Sequence, residues 1–307
     1  MVFDTWKVPG MERRRIEPGH AFVILLALLA AIASSASSAA EEATLSPTGY
    51  VYLDVNGTPL PFQTHAAILE ALRTGTVVEQ KLMTRGVAQN TKLVLDVDGV
   101  RLHAVLRTIN VSEREKTTSK RIIIKYRDSW QFEIAAYELS ELLGIGRVPP
   151  VVERTIDGVP GSIQIWMEGT TPEDLMVEDD RLDPPDKTFW NRQKSIMLVF
   201  DALIANSDRN QGNLLIDQNW NIWFIDQTRA FRETSVLIDK DHIKTCERSL
   251  FRALQETTDE AIRERAESYL TSGEMKKLLR RHGKLVNHIE KMIEDNGLAN
   301  VLYDLDP

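Results

Sequence analysis

Three residues whose types and spacing could do chemistry lie close together in this 307-residue chain. Asp208 and Asn213 are five positions apart, and Asp226 follows thirteen further on. The chain reads Asn-Ser-Asp-Arg-Asn-Gln-Gly-Asn-Leu-Leu-Ile from Asn206 to Ile216, then Phe-Ile-Asp from Phe224 to Asp226. Phosphoryl transfer asks a protein mainly for positioning and charge neutralisation. One carboxylate takes the proton of an attacking hydroxyl. An amide and a second carboxylate hold Mg2+ or Mn2+, which prefer hard oxygen donors. A cation grips the phosphates and is often fixed by a glutamate from a neighbouring helix. On that chemistry Asp208 is the candidate catalytic base, and Asn213 and Asp226 are candidate metal ligands. Asp and Asn taken singly are common turn residues; the two spacings together point to a site.

The surrounding pattern supplies elements that could hold such a trio. Leu198 to Ala205 is a mostly apolar helical stretch that delivers Asp208 onto a loop. Leu214-Leu-Ile and Ile222-Trp-Phe-Ile are short apolar strands joined by the turn-like Asp217-Gln-Asn-Trp-Asn, a hairpin that folds Asn213 back beside Asp226. Upstream, Asp98-Gly99 between two alternating strands is a strong hairpin signal, and Asp157-Gly158 sits between Val151–Arg154 and Ser162–Met167. Tyr50–Val55, Thr76–Lys81 and Arg121–Lys125 also read as strands, and His65–Leu72 as a helix. The polar stretch Val111–Lys120 reads as a surface loop. Trp130–Leu143 is an amphipathic helix stopped at Gly144 and Gly146. From Phe189 onward the pattern is helical apart from the hairpin. Strands with one helix first and mostly helices after make an α+β chain in two lobes. The expected boundaries are an amino-terminal signal or anchor over 1–40, an N-lobe over 45–170, an acidic linker or insertion over 171–188, and a C-lobe over 189–307.

Composition narrows the function classes. Lys and Arg total 37 against 45 Asp and Glu, a formal charge of −8, which argues against a general nucleic-acid binder. The single cysteine, Cys246, excludes an intrachain disulfide and a cysteine-rich zinc site; a buried packing role is expected. The histidines show no metal-ligand spacing. At the amino terminus Arg13-Arg14-Arg15 precedes an apolar run from Ala21 to Ile32 and the small residues Ala33 to Ala40. That order describes a secretory signal peptide, the run being short of the roughly 20 apolar residues of a membrane span. The expectation is export: periplasmic, secreted, or held by an uncleaved amino-terminal anchor, the only expected contact with a membrane.

The segment Asp201 to Ile216, with Ile225-Asp226, resembles the catalytic and metal-binding segments of the atypical protein-kinase-like fold. That fold is shared by phosphoinositide kinases, the HipA-type serine/threonine kinases of bacteria and the secretory-pathway kinases that phosphorylate casein-like proteins. The resemblance extends upstream through Asp128–Gly144, Val148–Thr155 and Gly161–Glu168, which look like an exported bacterial subgroup. In all it covers about residues 60 to 235. It implies an N-lobe antiparallel sheet plus one helix, a mostly helical C-lobe, and ATP or another nucleoside triphosphate with Mg2+ or Mn2+. The implied reaction is phosphoryl transfer to a hydroxyl of a protein or small molecule. Glu133 would be the helix glutamate that fixes the phosphate-gripping cation. Ser162 to Glu168 would be the hinge strand beside adenine, with Glu168 closing it. The subgroup usually has a lysine near the end of the second hairpin strand; here Arg107 stands there, and Lys125 is the alternative grip. Arginine is not equivalent to a compact lysine ammonium, and no Gly-x-Gly-x-x-Gly loop is present; Arg85-Gly86-Val87 is a phosphate cover or a plain turn. Two further readings follow: a nucleotide-binding pseudokinase, and a non-enzymatic cell-envelope interaction domain.

Overall fold

Side-chain alternation along the early strands decides which residues can reach the site. The computed structural model describes residues 48–84, 90–117 and 122–305, the side chains of 122–125 excepted. The signal-like segment 1–40, the segment Arg85-Gly86-Val87 and the Lys125 side chain lie outside the described residues. All of the described residues fall in one unit, Ser46–Pro307.

Helix α1 (His65–Thr74) precedes strands β1 (Thr76–Leu82), β2 (Thr91–Val97) and β3 (Val100–Arg107). A two-stranded ribbon follows, β4 (Asn110–Thr117) with β5 (Ile122–Ser129), then helix α2 (Gln131–Leu142) and the pair β6 (Val151–Ile156) and β7 (Val159–Ile165). The Asp98-Gly99 and Asp157-Gly158 turns have positive φ at both residues, as a tight two-residue hairpin turn demands. An antiparallel sheet runs β1-β2-β3-β7-β6. On β3, Leu102, Ala104 and Leu106 enter a core with Leu93, Leu95, Ile163 and Ile165. Val105 and Arg107 point the other way and line a cleft, because successive strand residues face opposite sides. Val105 lies opposite Gln164 and Arg107 opposite Ser162, which brings Gln164 beside Arg107.

The second half holds β8 (Thr171–Pro172), α3 (Glu173–Glu178), α4 (Lys187–Ile204), β9 (Leu214–Ile216), β10 (Ile222–Phe224), α5 (Arg248–Glu256), α6 (Asp259–Ala266) and α7 (Ser272–Asn296). Strands β10, β9 and β8 form a small sheet, so residues 171–188 contribute a strand to it. They also contribute α3, whose buried Glu173 pairs with Lys194 at 2.6 Å. The β9–β10 hairpin is two-faced. Leu214, Ile216, Ile222 and Phe224 belong to a larger core together with side chains of α2, α4 and α7. Trp223, fully buried, belongs to the core of the five-stranded sheet. An apolar run without alternation marks a strand buried on both faces, and this hairpin is where the two cores meet.

The chain is thus α+β, with an antiparallel sheet and α2 first and mostly helices after. The expected helical pattern from Phe189 onward is interrupted, beyond the hairpin, by Cys246–Glu247, which pairs in parallel with Leu302–Tyr303. Two other segments also differ from the sequence expectations. Val111–Lys120 was expected as a loop, yet Asn110–Thr117 is a strand paired with β5. Its residues are exposed except Lys116, so it has no apolar face to give a period-two signal. Tyr50–Val55, expected as a strand, makes one bridge, Leu53 with Pro59. The Gln63 side chain replaces a strand partner: it accepts from the Tyr52 N–H and donates to the Tyr52 carbonyl. Among the described residues no helix is long and apolar enough to cross a membrane.

Candidate active site

Helix α4 ends where the first candidate residue begins. Ala205 takes a left-handed conformation at φ 52° and closes the helix by donating to the Asp201 carbonyl. One turn back, buried Asp201 meets Arg209 in a two-pronged pair: Nε to Oδ2 at 2.9 Å and Nη2 to Oδ1 at 3.0 Å. Burial raises the Asp201 carboxyl above its ordinary range, against the pull of Arg209. The remaining edge of the Arg209 fork donates from Nη1 to the carbonyls of Asn213 (3.0 Å) and Ile225 (2.8 Å). One arginine therefore ties the helix end, the loop and the strand before Asp226 together. Within the loop, Asn206 Oδ1 accepts from the Asp208 N–H and Asn210 Oδ1 from the Gly212 N–H. With its backbone pinned, Asp208 keeps a side chain that is 44% exposed.

Asn213 and Asp226 are joined through the hairpin. The Ile225 N–H donates to the Asn213 carbonyl at 3.1 Å, and the Asn213 amide nitrogen lies 3.4 Å from the Asp208 carbonyl. Asp226 sits at φ 59°, a left-handed conformation that Asp tolerates better than most residues. Thr228 Oγ1 donates to its Oδ1. The hairpin turn is held by buried Asp217, which accepts from the N–H groups of Asn219 and Asn221, the Asn221 amide and the Trp223 indole.

On the opposite wall Arg107 is 4% exposed. Its Nη1 donates to Gln164 Oε1 at 3.2 Å, and its Nε lies 3.6 Å from Glu133 Oε1. Glu133, fully buried on α2, also accepts from the Gln227 N–H at 2.8 Å. Burial pushes its carboxyl up to about 7, opposed by Arg107 and reinforced by Asp226. Arg107 Nε, Glu133 Oε2 and Ser162 Oγ are buried without a hydrogen-bond partner. A further chain of contacts runs along the rim. Arg229 donates from Nε to Asp128 Oδ2 at 2.7 Å and from Nη1 to Asp208 Oδ2 at 3.0 Å. Tyr126 donates to the same Asp128 oxygen.

Arg107, Asp208, Asn213 and Asp226 line one cleft of about 510 Å³, together with Gln164, Trp166, Met167, Asp174 and Arg229. Glu133 lies behind that wall, reached through Arg107. Glu168 is not brought to the cleft: its carboxylate pairs with His103 Nδ1, and its carbonyl accepts from the Tyr50 hydroxyl. Of the segment Ser162–Glu168, expected as a hinge, Gln164, Ile165, Trp166 and Met167 line the cleft. Sequence reasoning missed Asp201, Arg209, Asp128, Arg229 and Gln164. The eight-residue step from Asp201 to Arg209 across a helix end was a local signal. Asp128 and Arg229 are 101 residues apart and left none. Cys246 is buried, with its thiol pushed up to about 12, chiefly by burial.

A model of the family described as Fam20C, Golgi casein kinase, C-terminal, Fam20, matches residues 59–164. That span carries Arg107 and Glu133 and ends before Asp208. Among solved structures the chain is similar to hydra Fam20 with sugar, at TM-score 0.60 and 16% identity over 77% of this chain and 91% of that one. It is similar to the Golgi casein kinase at TM-score 0.55 and 17% identity, covering 78% of this chain and 79% of that one. The same kinase with Mn/ADP bound matches at TM-score 0.54 and 17% identity, covering 79% and 80%. No curated protein matches by sequence. At these identities the likeness is one of fold: the chain has the atypical kinase-like fold.

Proposed function

We propose that this chain is a kinase-like phosphotransferase that moves a phosphoryl group from ATP, or another nucleoside triphosphate, to a hydroxyl of a protein or small molecule. The observation that carries this is the convergence on one cleft of a half-exposed carboxylate, an amide, a second carboxylate and a buried guanidinium. The donor set suits a divalent cation. Asn213 and Asp226 offer hard oxygens, and among the described residues no three His, Cys, Asp or Glu side chains group to hold a metal alone. Phosphate oxygens would complete the coordination, as expected for Mg2+ bound with a nucleotide. Arg107 supplies a cation on the opposite wall. In support, the Golgi casein kinase of the same fold has been seen with Mn/ADP bound.

The roles follow from position. Asp208 accepts the proton of the acceptor hydroxyl as its oxygen bonds to phosphorus and the bond to the departing nucleoside diphosphate breaks. Asn213 and Asp226 would hold Mg2+ or Mn2+, which would supply neutralisation of the phosphate charge. Arg107 neutralises phosphate charge, and Glu133 and Gln164 hold its guanidinium in place. Trp166 and Met167 border the space for the base. The basic, apolar and small-residue order of residues 13–40 supports export. A nucleotide-binding pseudokinase is the second reading, favoured by one observation: an arginine held by Gln164 and Glu133 stands where the resemblance implies a lysine.

Thermal unfolding of the purified chain with ATP or ADP, with and without Mg2+ or Mn2+, tests nucleotide binding. Stabilisation that needs the metal and vanishes in Asp226→Ala is expected; no metal-dependent stabilisation by any nucleotide overturns the proposal. Transfer of the γ-phosphoryl group, followed by autophosphorylation and hydrolysis, separates the two readings. Asp208→Ala should keep binding and lose turnover, whereas a wild type that binds without turnover is the pseudokinase.

A further inference from the structure

We infer that Arg229 is a positioning residue for the base: it fixes one oxygen of Asp208 and leaves the other facing the acceptor. The inference presupposes that Asp208 is the base. The Arg229 guanidinium is anchored at one edge, where Nε donates to Asp128 Oδ2 at 2.7 Å. Asp128 is itself 3% exposed and takes a second hydrogen bond from the Tyr126 hydroxyl on the same oxygen. The end of β5 that carries Asp128 is docked on the segment after Asp226, the Ser129 N–H donating to the Thr228 carbonyl at 2.8 Å. The anchor is therefore buried, doubly bonded and fastened to the metal-ligand segment.

From that anchor the free edge of the guanidinium reaches Asp208 Oδ2 at 3.0 Å. No described residue bonds Asp208 Oδ1. A carboxylate with one oxygen tied and one free has one orientation in which it can accept a proton, rather than a spread of rotamers. This is the pre-organisation that general-base catalysis exploits. Charge argues for positioning over phosphate binding. Arg229 is balanced by two carboxylates at 2.7 and 3.0 Å, whereas Arg107, which also lines the cleft, has the Glu133 carboxylate 3.6 Å from its Nε. Asp226 and Arg229 lie three residues apart, so one short segment carries a metal ligand and the residue that orients the base.

The test uses the purified full chain, Mn2+–ATP as donor, and water and the chain itself as acceptors, so that hydrolysis and autophosphorylation are the readouts. Arg229→Gln should lower kcat about ten- to a hundred-fold, part of the ~10²–10⁴ that general-base catalysis contributes. KM for Mn2+–ATP and the stabilisation by Mn2+–ADP should stay within about threefold of wild type. Arg229→Lys should recover part of the rate, and Asp128→Asn should fall between wild type and Arg229→Gln. Asp208→Asn and the double variant Asp208→Asn/Arg229→Gln should be equally slow, since the effect passes through Asp208. Full activity in Arg229→Gln overturns the inference, as does a double variant slower than Asp208→Asn alone. An equal loss of nucleotide affinity, kcat and Tm would reduce Arg229 to a structural tie. A wild type without turnover removes the base itself, and this role with it.

Discussion

Glu133 is held with a proton affinity far from that of a surface glutamate, and this has a measurable consequence in the ligand-free chain. Its carboxyl is pushed up to about 7, first by burial, with Arg107 opposing. An exposed glutamate titrates near 4.3, so the folded chain binds this proton more tightly than the unfolded one. The resulting stability is complete below the unfolded value and is lost as pH rises through about 7. In metal-free, nucleotide-free buffer the wild-type Tm is expected to fall relative to Glu133→Gln between about pH 5 and pH 8. Parallel Tm curves over that range would remove the assignment. Arg107 is the other half of the same account. With Nη1 on Gln164 and Nε beside Glu133, it is fixed on both sides as a lysine ammonium could not be. The sequence offered Arg107 and Lys125 as alternative grips; that Arg107 is buried and locked could not be read there, because Gln164 and Glu133 are distant from it in sequence.

At the scale of elements, the β9–β10 hairpin carries the most. Its ends place Asn213 beside Ile225, and its turn rests on Asp217, 5% exposed and accepting four hydrogen bonds. Asp217→Ala strands those donors, the indole of fully buried Trp223 among them. Leaving a buried donor unpaired costs about 1–3 kcal/mol, so a loss of at least ~3 kcal/mol is expected by denaturant unfolding. Metal-dependent nucleotide stabilisation should weaken with it, because both candidate ligands flank the hairpin. Unchanged stability would show that the turn is held by other contacts. This hairpin was legible because its apolar runs are unbroken and its polar turn is compact. The β4–β5 ribbon was not: β4 is exposed almost throughout, and a strand made by its backbone ladder alone leaves no side-chain pattern.

Over the whole molecule, the cleft draws its walls from two cores. Arg107, Gln164 and Trp166 come from the sheet side, and Asp208, Asn213 and Asp226 from the loop and hairpin side. A ligand that touches both walls stabilises both. At a hundred times its Kd a nucleotide–metal pair adds about 2.7 kcal/mol. For a chain of this size each kcal/mol moves Tm by roughly 2–4 °C, so a rise of about 5–10 °C is expected in one transition. Two transitions, only one of them ligand-sensitive, would contradict a cleft shared between the cores. Trp223 is the physical link, since alternation along β10 sends it into the sheet core and Ile222 and Phe224 into the helical one. The sequence by itself determined the local facts: three oxygen-bearing residues at fixed spacing, the helix before them, the hairpin between them, and an arginine at the end of β3. Local spacing decides these, because a few residues of backbone set where such groups can go. Tertiary structure alone decided that Arg209 stitches the loop to the hairpin and that Glu168 turns to His103. It alone decided, too, that Asp128 reaches Arg229 across 101 residues to hold Asp208. Those contacts depend on strand register and on how the two cores pack, which no short stretch of chain records.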